Sequence, residues 1–210
     1  MCSSTTMTSP AAAHIGGAPA VLADFDPPAI WWGTPVPPHQ PSLKFLEEAN
    51  RQRRVVAFRR AGQAFRLGDA GIRVLSPPPP DWERQKVRND DSVVVEVLYH
   101  DVALVLTGDV GGDVERRIAP QLTAARVRVL KVGHHGSRTS STVALLGAWR
   151  PQIALISAGR SNTFGHPAPE VLERLASIGA RVYRTDLDGQ ITLDSDGRSV
   201  SVRTFTGGER

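Results

Sequence analysis

The run Val102-Ala-Leu-Val-Leu-Thr-Gly-Asp109 is typical of a buried strand that ends in a polar loop, because its apolar residues stop abruptly at a glycine and a carboxylate. A second run, Arg126-Val-Arg-Val-Leu-Lys-Val132, leads in the same way into Gly133-His-His-Gly-Ser137. Both runs have the length and the β-branched content that are typical of buried strands. A carboxylate and two imidazoles therefore follow directly after predicted strands, in the kind of loop that commonly carries function.

Strands and helices alternate on both sides of these two runs. Strands are predicted at residues 29–32, 55–58, 72–75, 92–99, 102–107, 127–132, 153–156, 182–184, 190–193 and 199–203, and helices at 18–25, from 42, after 112, at 142–149 and from 167. His100-Asp101 is predicted to be a hairpin turn. This alternation of strands and helices predicts an α/β domain with mixed sheets over residues 14–205. A disordered segment is predicted before it, at residues 1–13.

Two helix starts are predicted from local signals. Ser42 is expected to cap a helix that has Leu43, Leu46, Ala49 and Asn50 on one face. Pro167 is expected at the start of the last long helix, since proline is favoured in the first helical turn.

Composition limits the classes of protein that this chain can be. The 210 residues, of which 40% are hydrophobic and 22% charged, suit one domain with a sizeable core. Cys2 is the only cysteine, so an internal disulfide and a cysteine-based zinc cluster are excluded. The net charge of +4 is compatible with a phosphate-rich partner but falls short of a strongly basic surface. No run approaches the roughly 20 apolar residues of a membrane span, which predicts a cytoplasmic chain without membrane insertion.

Asp109, the His134-His135 pair and His166 are the candidates for chemistry, since a buried carboxylate needs a cation or donors and paired imidazoles can bind a metal or move protons. Each has a plainer interpretation. Thr-Gly-Asp is more often a turn or a helix cap, and a histidine before proline is commonly a helix-entry residue. The residues alone therefore leave a metal-dependent or acid–base hydrolase open, but only weakly supported.

Four motifs together resemble a known family: Arg88-Asn-Asp-Asp-Ser92, Leu106-Thr-Gly-Asp109, the run from Leu130 through His-His-Gly-Ser to Ser141, and Gly165-His-Pro167. In this order and spacing they are similar to the C-terminal metallo-β-lactamase-type domain of ComEC-type DNA-internalisation competence proteins. The resemblance covers residues 8–202. It implies an αββα sandwich that binds one or two divalent metals, Zn or Mn, and hydrolyses incoming single-stranded DNA.

The resemblance also implies roles for individual residues. Asp109 corresponds to the family's metal-contacting aspartate, and His134 or His135 to its downstream histidine ligand. His166 corresponds to a histidine with a catalytic, second-layer or substrate-facing role, and His14 to the last histidine of the signature loop. The basic residues Arg84, Lys86 and Arg88 are candidate DNA contacts, although a solvated surface loop would look the same.

The chain departs from the family at its signature loop, Thr-His-x-(His/Asp)-x-Asp-His-Gly-Gly. In the corresponding residues 8–17, Ser9 replaces the first histidine, Ala11 the second ligand (His or Asp) and Ala13 the aspartate, and only His14 remains. Alanine has no donor atom and serine is a poor ligand for zinc. The first strands and the membrane channel of the family, whose members are inner-membrane proteins, are also expected to be missing.

These departures predict a family domain whose catalysis is impaired, with two competing hypotheses. One is an active nuclease that uses His14, Asp109 and His134 or His135, because three protein ligands suffice for a catalytic zinc. The other is an inactive remnant or binding module of a truncated competence protein. A β-lactamase that acts on antibiotics is disfavoured, because the signature loop is degenerate and no secretion signal precedes it.

Overall fold

A computed structural model describes residues 18–33, 40–79, 88–206 and 208–209. The described residues form the helices α1 (Ala18–Phe25), α2 (Gln40–Arg51), α3 (Gly112–Ile118), α4 (Val143–Trp149), α5 (Pro169–Ser177) and α6 (Thr185–Asp188). Their strands are β1 (Ala29–Trp32), β2 (Val55–Phe58), β3 (Ala64–Leu67), β4 (Ala70–Ser76), β5 (Val94–Tyr99), β6 (Val102–Leu106), β7 (Val127–Lys131), β8 (Ile153–Ile156), β9 (Arg181–Arg184), β10 (Ile191–Ser195), β11 (Val200–Thr204) and β12 (Gly208–Glu209). The signature loop with His14, and the basic residues Arg84 and Lys86, lie outside the described residues.

The large sheet is mixed. In the described part of the chain it contains seven strands in the order β3-β4-β5-β6-β7-β8-β9. The pairs from β3 to β6 are antiparallel, and those from β6 to β9 are parallel. Helices α3, α4 and α5 connect the parallel strands, as a parallel pair requires. The carboxyl ends of β6, β7 and β8 therefore lie side by side where these parallel strands terminate, and we call this end of the sheet the site edge.

The two faces of the large sheet are covered differently, because side chains alternate along each strand. Ala103 and Val105 of β6 belong to the core under α3, α4 and α5, whereas Leu104 packs with Val202 of β11 on the opposite face. The smaller sheets β1-β2 and β10-β11-β12 are thus associated with that second face. Outside them, α1 and α2 pack on β1 through Leu22 and other apolar residues. The predicted α/β class is confirmed, and the layers are consistent with an α+β sandwich.

Two predicted helix starts are wrong, that of α2 by three residues and that of α5 by two. Helix α2 begins at Gln40, and its buried positions are Ser42, Phe45 and Ala49, whereas Leu43 is 37% exposed. Ser42 therefore lies inside the first turn of the helix and is buried like Phe45 and Ala49. Helix α5 begins at Pro169, after the extended N-cap residue Ala168. Proline does occupy the first turn, but it is the second proline of the His-Pro-Ala-Pro sequence.

Candidate functional site

The site edge brings together the carboxylate and the paired histidines that the sequence singled out. Register makes this possible, because Leu106 at the end of β6 pairs with Lys131 at the end of β7. The backbone N–H of His134 donates to the carbonyl of Gly108 at 2.9 Å and so joins the two loops. Asp109 is only 5% exposed, and its Oδ1 lies 3.9 Å from Nε2 of His135.

The two histidine side chains of the turn Gly133–Gly136 contact different partners. His134 has φ 47° and His135 has φ 55°, both in the left-handed region that residues with a β-carbon seldom adopt. Nε2 of His134 lies 3.4 Å from Nδ2 of Asn89. His135 instead contacts Ser157 through Nδ1 at 2.8 Å. Consecutive histidines therefore belong to two different parts of the site.

The contact with Ser157 fixes the protonation pattern of a neutral His135 ring. A carbonyl oxygen can only accept a hydrogen bond, so Nδ1 carries the proton and Nε2 keeps its lone pair. That lone pair is on the nitrogen nearer to Asp109. A backbone carbonyl that holds one ring nitrogen is the usual support of a metal-binding histidine, and it equally orients a general base.

Lys131 supplies positive charge beside Asp109. Burial lowers the pKa of Lys131, and the charge of Asp109 opposes this by favouring the ammonium form. The Lys131 ammonium also donates to the carbonyl of Val132 at 3.0 Å. On the other side, the backbone N–H of Asp109 donates to Oγ of Ser92 at 3.2 Å. Sequence reasoning missed Lys131 and Ser92 as site residues, although both lie inside the motifs quoted above.

His166 approaches the site from the loop after β8. Its ring centroid lies 6.0 Å from that of His134 and 6.1 Å from that of Phe164. Asn162 holds its backbone from both sides, since Oδ1 accepts from the His166 N–H at 2.9 Å and Nδ2 donates to the His166 carbonyl at 2.8 Å. Desolvation lowers the pKa of His166, and the nearby rings of His134 and His135 lower it further. Nδ1 of His166 is buried without a hydrogen-bond partner among the described residues.

Two charged side chains from the flanking helices hold the loop that follows the histidine turn. Glu115 of α3 is fully buried and accepts the N–H groups of Ser141 at 2.6 Å and Thr142 at 2.7 Å. Arg174 of α5 donates to the carbonyls of Ser141 and Ser140, both at 2.9 Å. Ser140 Oγ in turn donates to the carbonyl of Gly133, where the turn begins. This loop is therefore fixed from two helices, and neither Glu115 nor Arg174 was predicted.

A divalent metal requires several donor side chains that converge on one point. Across residues 18–33, 40–79, 88–206 and 208–209, no group of three His, Cys, Asp or Glu side chains could hold an ion. Asp109 and His135 form a pair, while His134 lies beside Asn89 and His166. Because catalytic zinc sites use three protein ligands, the described residues alone do not fit one.

Of the three predicted DNA contacts, Arg88 is the one that lies within the described residues, and it is exposed at the site edge. Its backbone N–H donates to a carboxylate oxygen of Asp91 at 2.8 Å, and this anchors the short turn Asn89–Asp91. Asp90 of the same turn accepts the N–H of Gly111 at 2.7 Å. The side chain of Arg88 is therefore attached to a loop that is itself bound to the residues after β6.

Curated relatives resemble the chain over 49% to 86% of its length. It is 32% identical over 148 residues to ComE operon protein 3 of Bacillus subtilis, which is 70% of this chain and 19% of that protein. It is also 32% identical over 183 residues to Recombination protein 2 of Haemophilus influenzae, 86% of this chain and 21% of that protein. Competence protein ComA of Neisseria gonorrhoeae is 36% identical over 104 residues, 49% of this chain and 15% of that protein. The chain is a relative of competence proteins.

These relatives confirm the resemblance to competence proteins that the motifs indicated. The chain spans about a fifth or less of the length of these curated relatives. No protein-family model matches the chain. None of the helices that the described residues form has the length and apolar character needed to cross a bilayer.

Proposed function

We propose that the chain is a competence-related, metallo-β-lactamase-type domain that binds single-stranded DNA at the site edge and whose metal-dependent DNA hydrolysis is impaired. One observation carries the proposal. Asp109 and three histidines meet at this edge, whereas Ser9, Ala11 and Ala13 lack the imidazole or carboxylate groups of the family residues that they replace in the signature loop. The polar site edge is thus present, while side chains that would hold a first metal are replaced by residues that bind metals poorly or not at all.

Charge at the site edge supports binding of a phosphate backbone. Arg88, Arg138 and Arg160 are exposed in the loops before β5, after β7 and after β8. Arg138 is paired with an exposed carboxylate, Glu170, at 3.8 Å, an interaction that solvent weakens. Arginines in separate loops around one edge can contact successive phosphates, and such contacts give affinity without sequence preference.

A second candidate function is an active Zn- or Mn-dependent nuclease with His14, Asp109 and His134 or His135 as ligands. The observation that favours it is the orientation of His135, whose Nδ1 is held by the Ser157 carbonyl while Nε2 is the nitrogen near Asp109. A bound metal would supply a hydroxide at neutral pH. His14, which would complete the set, lies outside the described residues.

Metal content and DNA binding of the purified full chain test the proposal. We expect far less than one Zn or Mn per chain, no cleavage of single-stranded DNA in added Mn²⁺, and DNA binding that weakens as salt rises. Asp109→Asn and His135→Asn should leave the metal content unchanged. His100→Asn is the matched control, since His100 also has a left-handed backbone, φ 51°, but lies in the hairpin at the opposite end of β6.

Two outcomes would contradict the proposal. About one metal ion per chain, lost in Asp109→Asn and His135→Asn but kept in His100→Asn, together with DNA cleavage, would establish the nuclease instead. Failure of the wild-type chain to bind single-stranded DNA at low salt would refute the DNA-binding part.

A further inference from the structure

Phe164 is an exposed aromatic side chain at the site edge. It is 78% exposed, although it lies in the loop that also carries His166. Single exposed apolar residues are normal on a protein surface, so the position of this ring beside the site histidines, and not its exposure alone, points to a role. Its ring lies nearly parallel to the His166 ring, at 21° and with 6.1 Å between centroids.

The rings of Phe164, His166 and His134 form a row, which we call the aromatic row. Neighbouring centroids are 6.1 Å and 6.0 Å apart. Phe164 is open to solvent, His166 and His134 are half-buried, and His134 belongs to the turn that also carries His135. The row therefore leads from the surface to the histidine turn, at its His134 side.

We infer that Phe164 is a base-stacking platform for single-stranded DNA, an inference that rests on the proposed function. Proteins that bind single strands without sequence preference combine aromatic side chains, on which bases stack, with cations that follow the backbone. Phe164 offers its exposed ring, and Arg160, four residues earlier in the same loop, offers an exposed guanidinium. Duplex DNA keeps its bases stacked on one another, so the platform selects single strands.

The platform is held in place by the backbone of its loop. Nδ2 of Asn162 donates to the carbonyls of Gly159 and His166, and its Oδ1 accepts the N–H of His166. These bonds close the loop on both sides of Phe164. The loop also connects to the histidine turn, because the N–H of Ala168 donates to the carbonyl of Gly136 at 2.8 Å.

The test measures the affinity of the full chain for a fluorescent single-stranded oligonucleotide and for the same backbone with abasic sites. Loss of one base–aromatic stack weakens binding by about tenfold or more, so Phe164→Ala should raise the Kd of the normal strand about tenfold. Phe164→Leu should do nearly the same because it keeps apolar area but has no π-face, whereas Phe164→Trp should bind as tightly as wild type. On the abasic strand, wild type and Phe164→Ala should be equal.

Salt dependence separates stacking from phosphate contacts. Phe164→Ala should shift the affinity equally at every salt concentration, while Arg160→Gln should reduce the slope of log K against log salt by about one. Phe25→Ala is the matched control, since Phe25 is 62% exposed at the end of α1 in the outer layer.

The possible failures are distinguishable. If wild type binds single strands and Phe164→Ala binds them equally well, the platform is refuted while the proposed function stands. If wild type binds no DNA, both fail. If Phe164→Leu retains full affinity, or if Phe164→Ala changes only the oligomeric state, the side chain serves an apolar protein contact and the inference is overturned.

Discussion

Glu115 holds the loop that follows the histidine turn, and replacing it tests how that loop is stabilised. Its carboxylate is fully buried and accepts two backbone N–H groups, those of Ser141 and Thr142, at 2.6 and 2.7 Å. Glu115→Ala leaves both donors buried without this acceptor, and each such loss costs about 1–3 kcal/mol. We therefore expect the free energy of unfolding to fall by about 2–6 kcal/mol, a large part of the roughly 5–15 kcal/mol of a typical domain.

Glu115→Gln refines the same prediction. The amide keeps one oxygen for one N–H but turns an NH₂ group toward the other, so about half the loss is expected, roughly 1–3 kcal/mol. Urea unfolding followed by tryptophan fluorescence measures both variants, with an unchanged m-value as the sign of a clean stability effect. Stabilities of both variants within about 0.5 kcal/mol of wild type would refute the view that Glu115 holds the loop.

The difference in stability between wild type and Glu115→Gln should change with pH in a definite direction. Burial raises the pKa of Glu115 above its ordinary 4.5, with the hydrogen bonds from Thr142 and Ser141 opposing the shift. As pH rises through 4.5, the unfolded chain loses the proton first, which favours unfolding until the folded pKa is passed. The advantage of wild type over Glu115→Gln should therefore be greatest below pH 4.5 and smaller at pH 7, and an advantage that grows with pH would contradict the shift.

Three further predictions concern the core, the loop that carries Phe164 and His166, and stability in acid. Leu130 of β7 is fully buried under the helices, so Leu130→Ala should cost about 2–5 kcal/mol in urea unfolding. Asn162→Ala removes the acceptor of the His166 amide, whose hydrogen exchange should become faster while exchange in β7 stays unchanged. A hydrogen bond from Arg184 lowers the pKa of Asp186 below 3.8, so its contribution to stability is present above pH 3.8 and is lost as pH falls through the folded pKa; Asp186→Asn should abolish this loss in acid unfolding.

The sequence predicted the place of the site better than its internal contacts. The strand runs that end in Gly-Asp and Gly-His-His predicted that Asp109 and the paired histidines lie at strand ends. The structure brings them together because β6 and β7 are parallel neighbours that end at the same edge. Local patterns gave no sign of Glu115 or Arg174, whose partners are backbone groups more than twenty residues away. Strand β3 was missed for another reason: its residues Ala64–Leu67 are mostly exposed and lack an apolar alternation.

The roles of His134 and His135 could not be separated from the sequence. Their types and positions are equivalent in the motif, and only the backbone of the turn distinguishes them. The structure assigns the Asp109 side to His135 and the Asn89 side to His134. Metal binding by either residue stays a prediction, as does the part that His166 plays in catalysis.

The left-handed backbone of His134 and His135 also determines which substitutions remove the imidazole without adding backbone strain. An alanine at position 134 or 135 would remove an imidazole and at the same time place an unfavourable residue in a left-handed backbone, so a loss of function would have two causes. Asparagine and glycine tolerate that conformation and remove only the ring. Any comparison of variants, natural or engineered, has to treat these two positions as a backbone requirement first and a chemical choice second.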